Sequence, residues 1–427
     1  MINFLILIIL ILLPPLFSGV HYAVSFLRRS VDEEGRERRR WAFLKRSNGV
    51  FFLSLIAGLI IIMAFLPESI PSIARISASV LFIAAAFLSQ AWTVGMIDKG
   101  IRGISYRMVG YMKFQSFFFA ARFSALFVVL IFLYYPFFQG PFFEGPFFEW
   151  IFYDVGGIGG RFFLDLALLL TAVAIFVLTV LFQVRLMGRI TGVLSPMSGG
   201  EGDISDSILE LAEKAGVTRE KVVLFVIETF GYPYYNAFAA PLKTLYFTKP
   251  LLSGLERGEI LAVSAHEIGH LLSMKRRTIS VLLLYLGFAV FLWLLTPILS
   301  IFASGNLLLS AAITAVLLLF FVFIAFFRRM SQRFETAADE TAASLTGDPE
   351  LLVKALEKIY RFNMIPRRFD RRGSEGESHP SLERRIAKLK GEELPKPKGS
   401  IFRLGVRLVF FIVLALFLVY ILLYRLL

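Results

Sequence analysis

The chain has 427 residues, 57% of them hydrophobic, a share that a soluble globule of this size, obliged to cover itself with polar side chains, does not reach. It has no cysteine, which excludes disulfides, thiolate metal ligands, a cysteine nucleophile and S-acylation. The formal net charge of +13 reads as basic cytosolic loops of a polytopic membrane protein, with no nucleic-acid partner expected.

Apolar runs long enough to cross a hydrocarbon core of ~30 Å lie at about 3–26, 49–66, 75–94, 114–136, 161–184, 279–303, 306–327 and 404–425. The first lacks a basic leading region and a small-x-small cleavage site, so it reads as a span rather than a signal peptide. Pro14-Pro15 should kink it or move its start later. Only Ser304, Gly305 and Asn306 separate the sixth and seventh spans, which predicts a tight helical hairpin. Arg28, Arg29, Arg36, Arg38, Arg39, Arg40, Lys45 and Arg46 follow the first span, and Lys99, Arg102, Arg107 and Lys113 follow the third. The loop after the fourth carries Glu144, Glu149 and Asp154 and no basic residue before Arg161. Alternate loops therefore agree on a multi-pass protein of the cell membrane with its amino terminus outside and 27–48, 95–113, 185–278 and 328–403 in the cytosol. A tandem Pro-Phe-Phe repeat over 136–150 reads as an aromatic belt at the outer interface, with a lid as the lesser alternative.

Two polar segments remain for a soluble α+β domain. In 185–278, a glycine-rich flexible lead-in precedes a helix over 204–215, a β-rich run from Lys221 to Ile227, extended pieces at Tyr235–Ala240 and Leu245–Thr248, and a helix over 256–274. In 328–403, helices are expected over 329–346, 349–361 and 381–390, with a basic loop at 366–378. The predicted architecture is a polytopic α-helical membrane protein of about eight spans with a split cytosolic α+β domain. Its parts are a five-span region (1–184), the two cytosolic halves (185–278 and 328–403), the two-span hairpin (279–327) between them, and a last span (404–427).

The chemistry centres on His266-Glu267-Ile268-Gly269-His270. Positions i and i+4 share a helix face, so both imidazoles can reach one zinc ion, while Glu267 beside it can take a proton from the attacking water and return it to the leaving amine. The plainer alternative is an amphipathic helix with two surface histidines. Against it, the chain has only four histidines, and two fall in this pattern. A hydrolytic zinc needs a third protein ligand and an open fourth position. No third histidine follows at metzincin spacing, so the candidates are carboxylates. In Arg333-Phe334-Glu335-Thr336-Ala337-Ala338-Asp339, Glu335 and Asp339 lie one helical turn apart. Glu335 can ligate the metal, and Asp339 can hold the free ring nitrogen of a ligand histidine. Both are equally compatible with solvated surface acids, and Glu340 competes as a ligand, though it points about 100° away from Asp339.

These motifs together resemble the membrane gluzincins of peptidase family M48, the HtpX-type heat-shock proteases and the CAAX prenyl endopeptidases. The shared order is HExxH, a pair of spans, then ExxxD. Tyr235-Asn236-Ala237-Phe238-Ala239 resembles the family's edge segment beside the active site, and Ser378-His379-Pro380-Ser381-Leu382-Glu383-Arg384-Arg385-Ile386 its carboxy-terminal box. The resemblance covers roughly 205–390; the first five spans match in number alone and the eighth has no counterpart. It implies that the split cytosolic domain is a zincin-like metallopeptidase domain with one zinc per chain on His266, His270 and Glu335, and Asp339 behind them. It also implies that His379 polarises the substrate carbonyl beside Glu267, and that Asn236, Ala237 and Arg385 serve the substrate face. The expected activity is endoproteolysis of membrane or membrane-adjacent proteins, as quality control or, alternatively, as prenyl-protein processing. A non-catalytic membrane scaffold with a structural zinc is the remote alternative; it would want four protein ligands where three are found.

Overall fold

The computed structural model describes residues 2–26, 32–65, 72–128, 157–197, 202–283, 327, 329–367 and 380–392. The Pro-Phe-Phe repeat, nearly all of the expected hairpin, His379 and the expected eighth span lie outside the described residues.

Five long helices come first: α1 (Ile2–Phe26), α2 (Glu33–Phe65), α3 (Ser72–Arg102), α4 (Met108–Val128) and α5 (Gly157–Thr191). Three contain stretches long and apolar enough to cross a membrane, Leu7–Val24, Ser77–Arg102 and Ala174–Thr191. Pro14 and Pro15 lie inside α1 without delaying its start. From Glu33 on, the basic residues expected in a loop belong to α2, which runs without a break into the apolar stretch ending at Phe65, and Arg40 and Phe43 within it are buried rather than looped into solvent.

The part of the expected lead-in that lies among the described residues, 185–197, is helix, turn and strand rather than a flexible run. Helix α5 continues to Thr191, and Gly192, at φ +63, reverses the chain into strand β1 (Leu194–Pro196). Gly188 is what lets the reversal close: a Cβ there would stand 2.1 Å from the Leu194 side chain. Helix α6 (Gly202–Lys214), β2 (Val223–Ile227), β3 (Ala237–Ala240) and β4 (Thr244–Thr248) follow. The four strands form one sheet in the order β1-β2-β4-β3. β1 and β3 lie antiparallel to their neighbours and β2 parallel to β4, with Ala237 opposite Phe247 and Ala240 opposite Thr244.

β4 is buried at every residue because the sheet is covered on both faces. Leu245 and Phe247 face a core shared with Ile208, Leu251 and Ile268. Tyr246 faces the other way, into a cluster with Tyr106, Tyr111, Phe114 and Phe117 of the α3–α4 region. The period of two along a strand thus splits β4 between the polar domain and the apolar helices. Among the described residues no strand pairs with the outer side of β3, which stands at the sheet edge.

Helix α7 (Lys249–Gly254) leads into α8 (Arg257–Leu272), which carries the histidine motif. A reciprocal capping box starts α8: Glu256 accepts from the backbone at Glu259, whose side chain accepts the Glu256 N–H at 2.9 Å. Lys358 braces both carboxylates, at 2.9 and 2.7 Å. From Glu259 to Leu271 nearly every residue of α8 is buried, so it is a core helix and not the amphipathic surface helix of the plainer reading. Further helices run over 274–283 (α9) and 329–346 (α10), then Pro349–Phe362 (α11) and Leu382–Leu389 (α12).

Candidate metal centre

His266 and His270 project from one face of α8 with ring centroids 4.7 Å apart and planes at 82°. Their Nε2 atoms face the Glu335 carboxylate of α10, at 3.7 Å from Oε2 and 3.3 Å from Oε1 respectively. In a tetrahedral zinc site with bonds of ~2.0–2.1 Å, two donor atoms stand about 3.3–3.4 Å apart. The donor set and spacing therefore fit such an ion. His266, Glu267 and His270 also form a group whose donor atoms lie within 4.8 Å of one another. The three side chains and Glu335 are all buried, at 2–7% exposure, which is an expensive place for ionisable groups without a shared partner.

The approach of α10 to α8 depends on Gly269, the small residue inside the histidine motif. A Cβ added there would meet Ala338 Cα at 2.8 Å. Gly269 and Ala338 let the two helix backbones touch, which brings Glu335, one turn before Ala338, onto the histidines.

Behind the histidines lies a second layer. Asp339 Oδ1 stands 2.8 Å from His266 Nδ1, the nitrogen turned away from Glu335. Arg385, from α12, grips Asp339 with both prongs, Nε to Oδ2 at 2.9 Å and Nη2 to Oδ1 at 2.6 Å. Burial would raise the Asp339 pKa, but the Arg385 charge and the hydrogen bonds from His266 and Arg385 hold it down, at about 2. For His266, burial pulls the pKa down, while the carboxylates of Asp339 and Glu335 outweigh it and bring it to about 9. His270, with burial dominant, is shifted downward.

In front, the unpaired side of β3 runs along α8. The Ala239 N–H donates to Glu267 Oε2 at 2.8 Å, which aims that carboxylate across the face of the site. A cavity of about 380 Å³ lies between them, lined by Asn236, Ala237, Ala239, His266, Glu267 and Glu335 among others.

Of the residues singled out in the sequence, His266, Glu267, His270, Glu335 and Asp339 converge here. Asn236 and Ala237 stand at the head of the edge strand. Arg385, expected on the substrate face, lines the same cavity, where it is buried beside His266 with its guanidinium held by Asp339. Sequence reasoning passed over the Ala239 N–H, a backbone group that carries no residue-type signal.

A profile of Peptidase family M48 matches residues 200–393. The chain is 27% identical over 224 residues to the "Protease HtpX homolog" of Aeropyrum pernix, covering 49% of this chain and 66% of that one. It is 31% identical over 184 residues to the homologue of Picrophilus torridus, covering 40% and 55%. The matched stretch thus spans about half to two-thirds of these relatives. A crystal structure of Ste24p from S. mikatae shares the fold at a TM-score of 0.52 and 17% identity, over 90% of this chain and 97% of that one. This chain therefore resembles the membrane metallopeptidases of Peptidase family M48, with the sequence likeness concentrated in residues 200–393.

Proposed function

We propose that the protein is a zinc-dependent endopeptidase embedded in the membrane, cleaving membrane or membrane-adjacent proteins in quality control, with one zinc per chain on His266, His270 and Glu335. The observation that carries this reading is the unpaired β3 edge running beside the two histidines and Glu267 across a shared cavity. An extended peptide added to that edge as a further strand would present a scissile carbonyl to the site. When bound, zinc supplies Lewis acidity, polarising that carbonyl and favouring ionisation of water. Glu267, aimed by the Ala239 N–H, removes a proton from the attacking water and delivers it to the departing amine. Asp339 fixes His266 in the tautomer whose Nε2 faces Glu335, and Arg385 holds Asp339 ionised and in place. Asn236 and Ala237 bind the substrate backbone. His379 contacts the substrate carbonyl, as the resemblance implies.

The same proposal takes eight spans, with the amino terminus outside and the split halves 185–278 and 328–403 facing the cytosol. The basic segments 27–48 and 95–113 and the acidic stretch 137–160 support it. A comparison of cleavage products in membranes containing wild type or Glu267→Gln tests the function. Wild type should generate new protein termini in membrane proteins that the variant does not; identical product sets refute it.

One observation favours the second reading, prenyl-protein processing. An apolar cavity of about 510 Å³, lined by Phe51, Phe87 and Phe118 of the long helices, shares Tyr234, Asn236 and Phe238 with the site's cavity. Such a chamber suits a lipid chain or an apolar segment. Cleavage of a farnesylated CAAX peptide in preference to its unmodified counterpart selects prenyl processing; equal cleavage selects the broader role.

A further inference from the structure

The residue that leads into the β3 edge is held from outside the sheet. Asn363, which caps the carboxyl end of α11 and is 5% exposed, grips the backbone of Tyr235 with both arms of its amide. The Tyr235 N–H donates to Oδ1 at 3.0 Å, and Nδ2 donates to the Tyr235 carbonyl at 2.7 Å. A neighbouring strand would satisfy the same two backbone groups. Beyond Tyr235, the Asn236 N–H and carbonyl tie to Thr248, and the edge opens toward Glu267.

Asn363 is itself anchored to the long helices. Arg40 of α2 donates to the Asn363 carbonyl at 2.7 Å. Arg102 of α3 donates to the carbonyls of Pro233, Phe362 and Asn363 at 3.0, 3.4 and 3.3 Å. Asp98, 1% exposed, lies between the two guanidiniums and accepts from Arg40 Nη2 at 3.2 Å and from the Tyr232 hydroxyl at 3.2 Å; Arg102 Nε is 3.1 Å from it. Two buried cations share one buried anion, an arrangement that apolar side chains could replace at lower desolvation cost. The surplus positive charge is directed at the last carbonyls of α11, where a helix carries partial negative charge. The network thus joins two helices of the apolar region to the strand entry, and it does so with polar groups that fix geometry rather than with loose packing.

We propose that Arg40, Asp98, Arg102 and Asn363 are positioning residues: through Tyr235 they set the place of the β3 edge against Glu267, so that the apolar helices govern how substrate is seated. The inference rests on the peptidase reading for its kinetic consequence but not for its structural one, and two readouts keep these apart. Purified full-length wild type and Asn363→Ala are compared with fluorescein-labelled β-casein as substrate and by hydrogen–deuterium exchange. Loss of two buried hydrogen bonds should raise KM by about 3- to 20-fold. kcat should stay within about twofold and zinc content unchanged, because neither bond reaches the reacting atoms. Amides over 234–240 should exchange faster, while those of α8 stay as in wild type. Arg102→Met should reproduce this pattern and Arg102→Lys should partly restore wild-type behaviour, since lysine keeps a cation for the carbonyls. Unchanged exchange over 234–240 in folded Asn363→Ala overturns the proposal, as does a fall in kcat and zinc together with no change in KM. Should wild type not cleave casein, the peptidase reading fails on that substrate, and the exchange comparison still decides the tether. If Asn363→Ala does not fold, the Arg102 pair decides it by the same criteria.

Discussion

Single residues carry the chemistry, and their legibility depended on how local each signal was. His266, Glu267 and His270 were readable because a helix places i and i+4 on one face whatever surrounds it. Glu335 and Asp339 were readable as a pair for the same reason; their separate roles came from the ligand count of a hydrolytic zinc and from the family resemblance, since helix spacing alone gives no sign of which neighbour each carboxylate meets. In the structure Glu335 faces Nε2 of both histidines, whereas the histidine nitrogen that Asp339 meets is Nδ1 of His266. Asp339→Asn should therefore keep zinc but hold it ~10–100-fold more weakly, with Glu335→Gln losing it more completely, in a chelator titration of both variants. Equal loss would move Asp339 onto the metal. A pH dependence follows as well. Metal binding at His266 must displace a proton wherever that group is charged, which with a pKa of about 9 includes neutral pH. Zinc affinity should rise about tenfold per pH unit between roughly pH 6 and 8, and less steeply in Asp339→Asn, where the group that raises His266 is weakened. Isothermal titration over that range checks the slope; a flat profile contradicts it. Arg385 was legible as a neighbour of the substrate cavity, which it lines, but not as the holder of Asp339, because only the tertiary placement of α12 brings it there.

At the scale of elements, helical periodicity and strand composition located α6, β2, β4, α8, α10 and α11 to within a few residues. They failed at β1, where glycines suggested a flexible lead-in. Those glycines instead serve a close turn: Gly192 supplies a positive φ, and Gly188 makes room for Leu194. Gly269 is the more consequential case, since the motif tolerates any residue there by local rules. The touching backbones of α8 and α10 do not. Gly269→Ala, a favourable change in an isolated helix, should here force the helices apart and cost about 1–3 kcal/mol of stability. It should also lower zinc affinity, because Glu335 moves with α10. Thermal denaturation with and without zinc measures both effects; a variant as stable as wild type with full zinc affinity would show that the helices have slack. The capping box makes a milder demand. Glu256→Ala removes one cap acceptor and one exposed partner of Lys358, and should lower the melting temperature less than Gly269→Ala does, without touching zinc content.

For the whole molecule, the sequence spoke mainly through hydropathy and the distribution of basic residues. That reading treats Arg40 and Arg102 as topological labels, yet both are buried, binding Asp98 and the end of α11. Charge counts cannot distinguish an arginine that stays in solvent from one that ties the long helices to the end of α11, because the difference lies in contacts between residues hundreds of positions apart, such as Arg40 and Arg102 with Asn363. The proposed topology itself is open to direct labelling, since the chain has no native cysteine. In intact cells an impermeant thiol reagent should modify Gly145→Cys and spare Ser253→Cys, whose position is exposed on the polar domain. The opposite pattern would put the site on the outer face. Both halves of the account, membrane embedding and zinc chemistry, meet in the state of the intact purified chain. Zinc content and casein cleavage measured side by side for wild type, His266→Ala and Glu267→Gln test the central claim most directly. The account predicts about one zinc and cleavage for wild type, neither for His266→Ala, and for Glu267→Gln retained zinc with turnover reduced about 10²–10⁴-fold. Stoichiometric zinc in His266→Ala, or wild-type cleavage by Glu267→Gln, would contradict it.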